Sequence, residues 1–185
     1  METMQEIRFD GRGGQGVVIA STILAVALFK EGKHVQSFPL FLGERRGAPV
    51  VAFTRVSDAP IPVRCQVYQP THAVVLDSSL LGVPPVIRGL ARDGLLLINT
   101  DVGPEAFPEC ESFRIATVNA GALAAKHGLG SRSMPIVNTA MLGALARVSG
   151  LIRLESLVEA IRDEVPFQVE KNISAAEEAY STLRF

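Results

Sequence analysis

Apolar and polar positions alternate along the chain in a way that predicts strands and helices in turn. Residues 4–10 carry Ile7 and Phe9 between polar neighbours, a short strand pattern. The Val/Ile/Ala/Leu run over 17–30 predicts a helix that stops near Glu31 and Gly32, since glycine commonly follows a helix end. Residues 34–39 and 50–56 predict a second and third strand, separated by a loop over 40–49. After a turn at 57–60, residues 61–64 are expected as a short edge strand, because Pro62 is tolerated at an edge. That strand is expected to pair with 50–56 as a hairpin, which makes the sheet mixed.

Three further apolar runs, 73–77, 95–100 and 113–118, have the near-continuous hydrophobicity of buried parallel strands. Helices are predicted over 84–91, 119–127, 139–148, 154–165 and 169–183. Pro84 suits a first helical turn, and Gly128 closes the second of these helices. Asn138 is expected to cap the 139–148 helix, after a loop over 130–137. Ile173, Ala176 and Tyr180 fall on one face of the last helix. No repeat, linker or low-complexity tract interrupts the pattern. It predicts an α/β fold, a three-layer α/β/α arrangement on a Rossmann-like, mixed but mostly parallel sheet, in one domain over 1–185.

Composition narrows the class. Hydrophobic residues make up 48% of the 185, charged residues 20%, and the mean hydropathy is +0.27, so the chain leans toward burying surface on partners. A net charge of −1 argues against nucleic-acid binding driven by bulk electrostatics. Residues 1–6 lack a basic segment followed by an apolar one, so no secretory signal is expected, and no apolar run reaches the roughly 20 residues of a membrane span. Cys65 and Cys110 stand far apart, too few to hold zinc or an iron–sulfur cluster, and as reduced thiols they fit a cytoplasmic protein.

The candidate chemistry begins where the first strand meets the first helix. Gly11-Arg12-Gly13-Gly14-Gln15-Gly16 matches G-x-G-x-x-G in strand–helix context, where bare backbone N–H groups and a helix N-terminus receive an anion. The second strand ends in Ser37-Phe38-Pro39 without the acid that holds an NAD ribose, and Gly16 is followed by Val17 rather than a Walker lysine. The loop therefore serves a different phosphate-bearing group, a facing subunit, or only a tight turn. In Glu44-Arg45-Arg46-Gly47-Ala48-Pro49 the two arginines can clamp a phosphate or carboxylate; the alternative is a solvated loop or a partner contact. Asp77-Ser78-Ser79 and Asn99-Thr100-Asp101 sit at strand ends, where ligand contacts and capping are both expected. His34, His72 and His127 lack companions at a catalytic spacing, and no metal-ligand pair, nucleophile elbow or close carboxylate pair occurs. No catalytic or metal residue is assigned. An apolar chain with an incomplete site reads as a subunit.

Four stretches in order carry a resemblance: the glycine loop, Gln36-Ser37-Phe38-Pro39, Glu44-Arg45-Arg46-Gly47-Ala48-Pro49 and Asn138-Thr139-Ala140-Met141-Leu142-Gly143-Ala144-Leu145. Together they resemble the gamma subunit, or gamma domain, of the 2-oxoacid:ferredoxin oxidoreductases, nearer the pyruvate and 2-ketoisovalerate enzymes than the 2-oxoglutarate or indolepyruvate ones. One departure is Val137, where many members of that family have proline. The resemblance implies CoA-dependent oxidative decarboxylation of a 2-oxoacid, with electrons passed to ferredoxin. It implies thiamine diphosphate, Mg2+ and 4Fe–4S clusters on alpha, beta and delta partner subunits, and none bound by this chain alone. It also implies a role here in assembly and CoA access, with Gly11, Arg12, Gly13, Gly14, Gln15, Gly16, Arg45 and Arg46 contacting CoA or a facing subunit. The isolated chain is open to homodimerising. A stand-alone nucleotide- or CoA-binding protein and a purely structural assembly subunit are the competing readings.

Overall fold

The computed structural model describes residues 4–40, 47–82, 84–87, 89–131 and 133–185. Six strands form one sheet: β1 (Gln5–Arg12), β2 (His34–Leu40), β3 (Pro49–Ser57), β4 (His72–Val75), β5 (Leu95–Asn99) and β6 (Arg114–Val118), in the order β2-β3-β1-β4-β5-β6. The β1–β4, β4–β5 and β5–β6 pairs are parallel; β1–β3 and β2–β3 are antiparallel. The mixed, mostly parallel sheet is as expected, but the hairpin is a different one. The partners of β3 are β2 and β1, and 61–64 forms no strand. Both edges of β3 are taken, so no position beside it is left for that segment.

The helices are α1 (Val17–Lys30), α2 (Pro84–Ile87), α3 (Ala120–Lys126), α4 (Asn138–Ser149), α5 (Leu154–Glu164) and α6 (Val169–Thr182). The expected 84–91 helix is a single turn: the chain leaves it through Gly89 in a left-handed conformation, φ 89°. The loop expected over 130–137 instead contains a small ladder, β7 (Gly130–Ser131) against β8 (Met134–Pro135).

Strand alternation divides the core. Ile7, Phe9, Val74, Leu95, Leu97, Ala116 and Val118 point to one face and pack with α1, α3, α4, α5 and α6. Helix α1 lies within this layer and is apolar nearly all round, as a buried helix is. Burial of these side chains supplies the main drive to fold, at roughly 25 cal/mol per Å² of apolar surface. On the other face Ala73, Val75, Leu96 and Ile98 meet Leu80, Val86, Leu90 and Cys110. These come from α2, the segment just after it and the tight turns Ser78–Leu80 and Pro108–Cys110, so the third layer is thin and built of single turns rather than long helices. The face of β1 on that side is charged: Glu6 pairs with Arg55, Arg8 with Asp10, and Arg12 with Asp77.

Two contacts lock the helical layer. A Cβ on Gly143 of α4 would stand 1.9 Å from the Ala176 carbonyl oxygen of α6, so the helices touch backbone to backbone there. Beside it, the Thr139 hydroxyl donates to Asn172 Oδ1 at 2.9 Å, and Asn172 Nδ2 donates to the Gln168 carbonyl at 3.1 Å. Asn172 thus ties α4 to the left-handed Gln168 (φ 54°) that starts α6.

Candidate functional site

The glycine loop lies at the carboxyl end of β1, beside the carboxyl end of β4, the edge where open α/β sheets bind ligands. Its glycines answer to specific crowding. Gly14 (φ 103°) and Gly16 (φ 82°) occupy left-handed conformations. A Cβ would come within 2.6 Å of Met134 Sδ at Gly14 and within 2.5 Å of Asn138 Nδ2 at Gly16. Gly11 is closed in by Val17 and Leu76.

The Arg12 side chain is partly exposed but engaged within the chain. Its Nε donates to Asp77 Oδ2 at 3.0 Å, Nη2 to Ser79 Oγ at 2.8 Å and Nη1 to the Gly47 carbonyl at 3.2 Å. Gln15 is held likewise: its Oε1 accepts from the Arg12 amide at 2.8 Å, and its Nε2 donates to Asp77 Oδ2 at 3.3 Å. Partial burial pushes the Asp77 carboxyl up, but hydrogen bonds from Ser79 and the Arg12 charge outweigh it and hold the group below its ordinary value. Asp77 and Ser79 therefore brace the loop, and Asp77 also caps the turn at Ser78–Leu80 by accepting from the Ser79 amide.

The amides of the loop are unequal. Gly13 N–H donates to the Ala48 carbonyl at 2.9 Å and Gln15 N–H to the Arg12 carbonyl at 3.1 Å. Among the described residues, the amides of Gly14, Gly16 and the first residues of α1 have no acceptor, and the first turn of α1 has no acidic side chain. A helix start of this kind attracts an anion through its partial positive charge. Asn138 adds to it. Rather than capping from outside, it is the first residue of α4; its Oδ1 accepts from the Thr139 amide at 2.9 Å, and its Nδ2, without a partner among the described residues, lies against Gly16. Asn138 is 3% exposed, so this donor is held in place by packing.

The other expected positions fall elsewhere. Glu44, Arg45 and Arg46 lie outside the described residues. Asn99 is a staple: Nδ2 donates to the Leu76 carbonyl at 2.8 Å and Oδ1 accepts from the Gly121 amide at 3.2 Å. His72 is buried beside Thr71, with its pKa lowered to about 4 by desolvation and by Arg114. His127 pairs with Glu178, and His34 is exposed at the start of β2. Reading along the sequence missed the Arg12–Asp77 pair, 65 residues apart, and the placing of Asn138 over Gly16. The only signal for the latter was that both belong to stretches carrying the resemblance. Among the described residues no three His, Cys, Asp or Glu side chains gather as a metal site, and no helix is long and apolar enough to cross a membrane.

The model of the family described as pyruvate ferredoxin/flavodoxin oxidoreductase matches residues 6–182. The chain belongs to this family. It is similar to the pyruvate/ketoisovalerate oxidoreductases common subunit gamma of Thermococcus kodakarensis, 49% identical over 182 residues and covering 96% of each chain. It is also 48% identical to the pyruvate synthase subunit PorC of Methanothermobacter marburgensis, over 98% of each chain. Among solved structures, pyruvate oxidoreductase subunit PORC from Thermotoga maritima superimposes with a TM-score of 0.82 at 36% identity, covering 98% of this chain and 97% of that one. The chain is thus a gamma-type oxidoreductase subunit, and the expected fold class holds.

Proposed function

We propose that this gamma subunit, one domain over 1–185, serves a complex that oxidatively decarboxylates pyruvate or 2-ketoisovalerate to acyl-CoA and CO2, passing electrons to ferredoxin. The substrate class is supported by the similarity to gamma subunits named for those two oxoacids, at 48–49% identity over nearly the whole chain. In this reading thiamine diphosphate, Mg2+ and 4Fe–4S clusters belong to alpha, beta and delta subunits in the cytoplasm. Its two cysteines, one exposed and one buried, leave this chain without a cluster's ligand set.

This subunit's own part is to support assembly and to receive a phosphate of CoA at the start of α1. The observation that carries the second role is the group of unused donors there: the Gly14 and Gly16 amides and Asn138 Nδ2. Gly11 fits where Val17 and Leu76 leave no room for a side chain, and Gly13 ties the loop to the Ala48 carbonyl through its amide. Arg12 and Gln15 act through Asp77, by holding the loop's shape. Arg45 and Arg46 enter on sequence grounds as cations for the same ligand or for a facing subunit.

A tagged chain purified from its host tests the assembly role, and is expected to bring down larger subunits carrying thiamine and iron–sulfur absorbance. In that complex, Arg45→Ala with Arg46→Ala is expected to raise the KM for CoA tenfold or more, with kcat near normal. An unchanged KM for CoA together with intact assembly overturns the assignment of the two arginines. Recovery of a lone colourless protein overturns the subunit reading.

A further inference from the structure

The sheet half made by β2 and β3 holds a cleft on its thinly covered face, remote in sequence from the glycine loop and sharing no residue with it. Its volume is about 560 Å³, within the usual range for small-molecule sites. The floor is aromatic. The rings of Phe38 and Phe53 lie 5.5 Å apart at 37°, and the Arg55 guanidinium carbon sits 5.2 Å from the Phe38 centroid.

Arg55 holds the cleft together and has no hydrogen left for a ligand to use at Nε. It is 1% exposed; Nε donates to Glu6 Oε1 at 2.7 Å, Nη1 to Gln36 Oε1 at 3.3 Å and Nη2 to the Cys65 carbonyl at 2.7 Å. The last bond pins residues 64–66 as the wall facing β2. Gln36 is engaged at both ends, since its Nε2 donates to the Ile61 carbonyl at 3.3 Å. On the pinned wall Arg64 and Gln66 are exposed and make no hydrogen bond or ion pair with the described residues. The cleft therefore offers a half-buried aromatic surface, one unengaged guanidinium and one unengaged carboxamide.

That set selects a ligand class. Aromatic side chains pair with a second ring in offset or edge-to-face contact, and a guanidinium fork matches a carboxylate or phosphate. We propose that the cleft between Phe38 and Arg64 binds a planar aromatic ring bearing an anionic group, the ring against Phe38 and the anion on Arg64. Gln66 hydrogen-bonds the edge of the ring.

Cys65 gives a local readout in the full-length chain, because it is exposed on this wall while Cys110 is buried. Its alkylation by N-ethylmaleimide is followed with adenosine 5′-monophosphate, a ring with a phosphate, and with indole-3-acetate, a ring with a carboxylate. Adenosine, indole, inorganic phosphate and acetate are the controls. At saturation at least one ring-bearing anion is expected to slow alkylation tenfold or more, with the four controls without effect; which one does so identifies the anionic group. Phe38→Leu and Arg64→Ala are each expected to return the ratio of protected to free rate to one. Arg64→Ala lies on the surface and reads the site even where the Phe38 change disturbs folding. Protection by neither compound, equal protection by a control, or protection that survives Arg64→Ala overturns the proposal.

Discussion

Two buried titratable residues work against each other as pH falls. Burial lifts the Asp10 carboxyl to about 6, although the Arg8 charge and hydrogen bonds at 2.8 and 3.1 Å pull it down, and among the described residues its Oδ2 has no hydrogen-bond partner. Unfolded, the group titrates near 3.8. Between these values the folded chain holds the extra proton, so Asp10 adds stability as pH falls through 6. His72 is the reverse, moving from 6.5 to about 4 on folding: the unfolded chain binds the proton first, and stability is lost as pH falls from 6.5. Each shift corresponds to roughly 3 kcal/mol at about 1.4 kcal/mol per unit. The native protein should therefore show little pH dependence between about 6.5 and 4.5. His72→Gln should gain stability on acidification across that window, and Asp10→Asn should lose it, as read from urea unfolding midpoints. Parallel slopes in the two variants would refute the opposition. A second residue-level contrast concerns glycines with nearly equal φ. Gly16→Ala meets both a left-handed φ of 82° and Asn138, whereas Gly32→Ala, at 81°, meets nothing within 4 Å. Gly32→Ala should cost about 1 kcal/mol and Gly16→Ala about 2–4 kcal/mol, the difference being overpacking. Thermal melts of the pair measure it.

At the scale of elements, the contact between α4 and α6 is the least tolerant. Gly143→Ala must separate two helix backbones, since the Ala176 carbonyl cannot swing aside like a side chain. A loss of about 3 kcal/mol is expected by chemical denaturation. Gly121→Ala in α3 is the counterpart: its Cβ meets only Asn119 Oδ1 at 3.7 Å, so about 0.5–1 kcal/mol of helix propensity is gained. Strands and long helices were legible because their hydrophobic rhythm belongs to local sequence. The limits of α1, its stop at Gly32 and the positions of β4, β5 and β6 follow from it within a residue or two. The partner of β3 was not legible. Pairing is decided by which strand edges remain open, and β1 outcompeted the neighbouring 61–64 segment by burying Ile7 and Phe9 beside Ala52. The one-turn α2 was overestimated because its apolar spacing, Val86 with Leu90 and Ile87 with Ala91, continues past the point where Gly89, left-handed at φ 89°, ends the helix.

At the scale of the molecule, all the longer helices gather on one side of the sheet, leaving the other to turns and charged pairs. Composition hinted at extensive burial but could not say on which side. The site was legible only as a glycine loop. What makes it a site is convergence: α1 starts beside α4, and Met134 and Asn138 close over glycines more than 100 residues earlier in the chain. Distance in sequence hides such convergence, and family likeness was its only trace. The charged face of β1 has one more effect. A slip of one residue in the pairing of β1 would turn Arg8, Asp10 and Arg12 into the helical layer and expel Ile7 and Phe9. The stripe of ion pairs, which contributes little to net stability on its own, thus acts during folding as a proofreader that rejects the wrong register of the central strand.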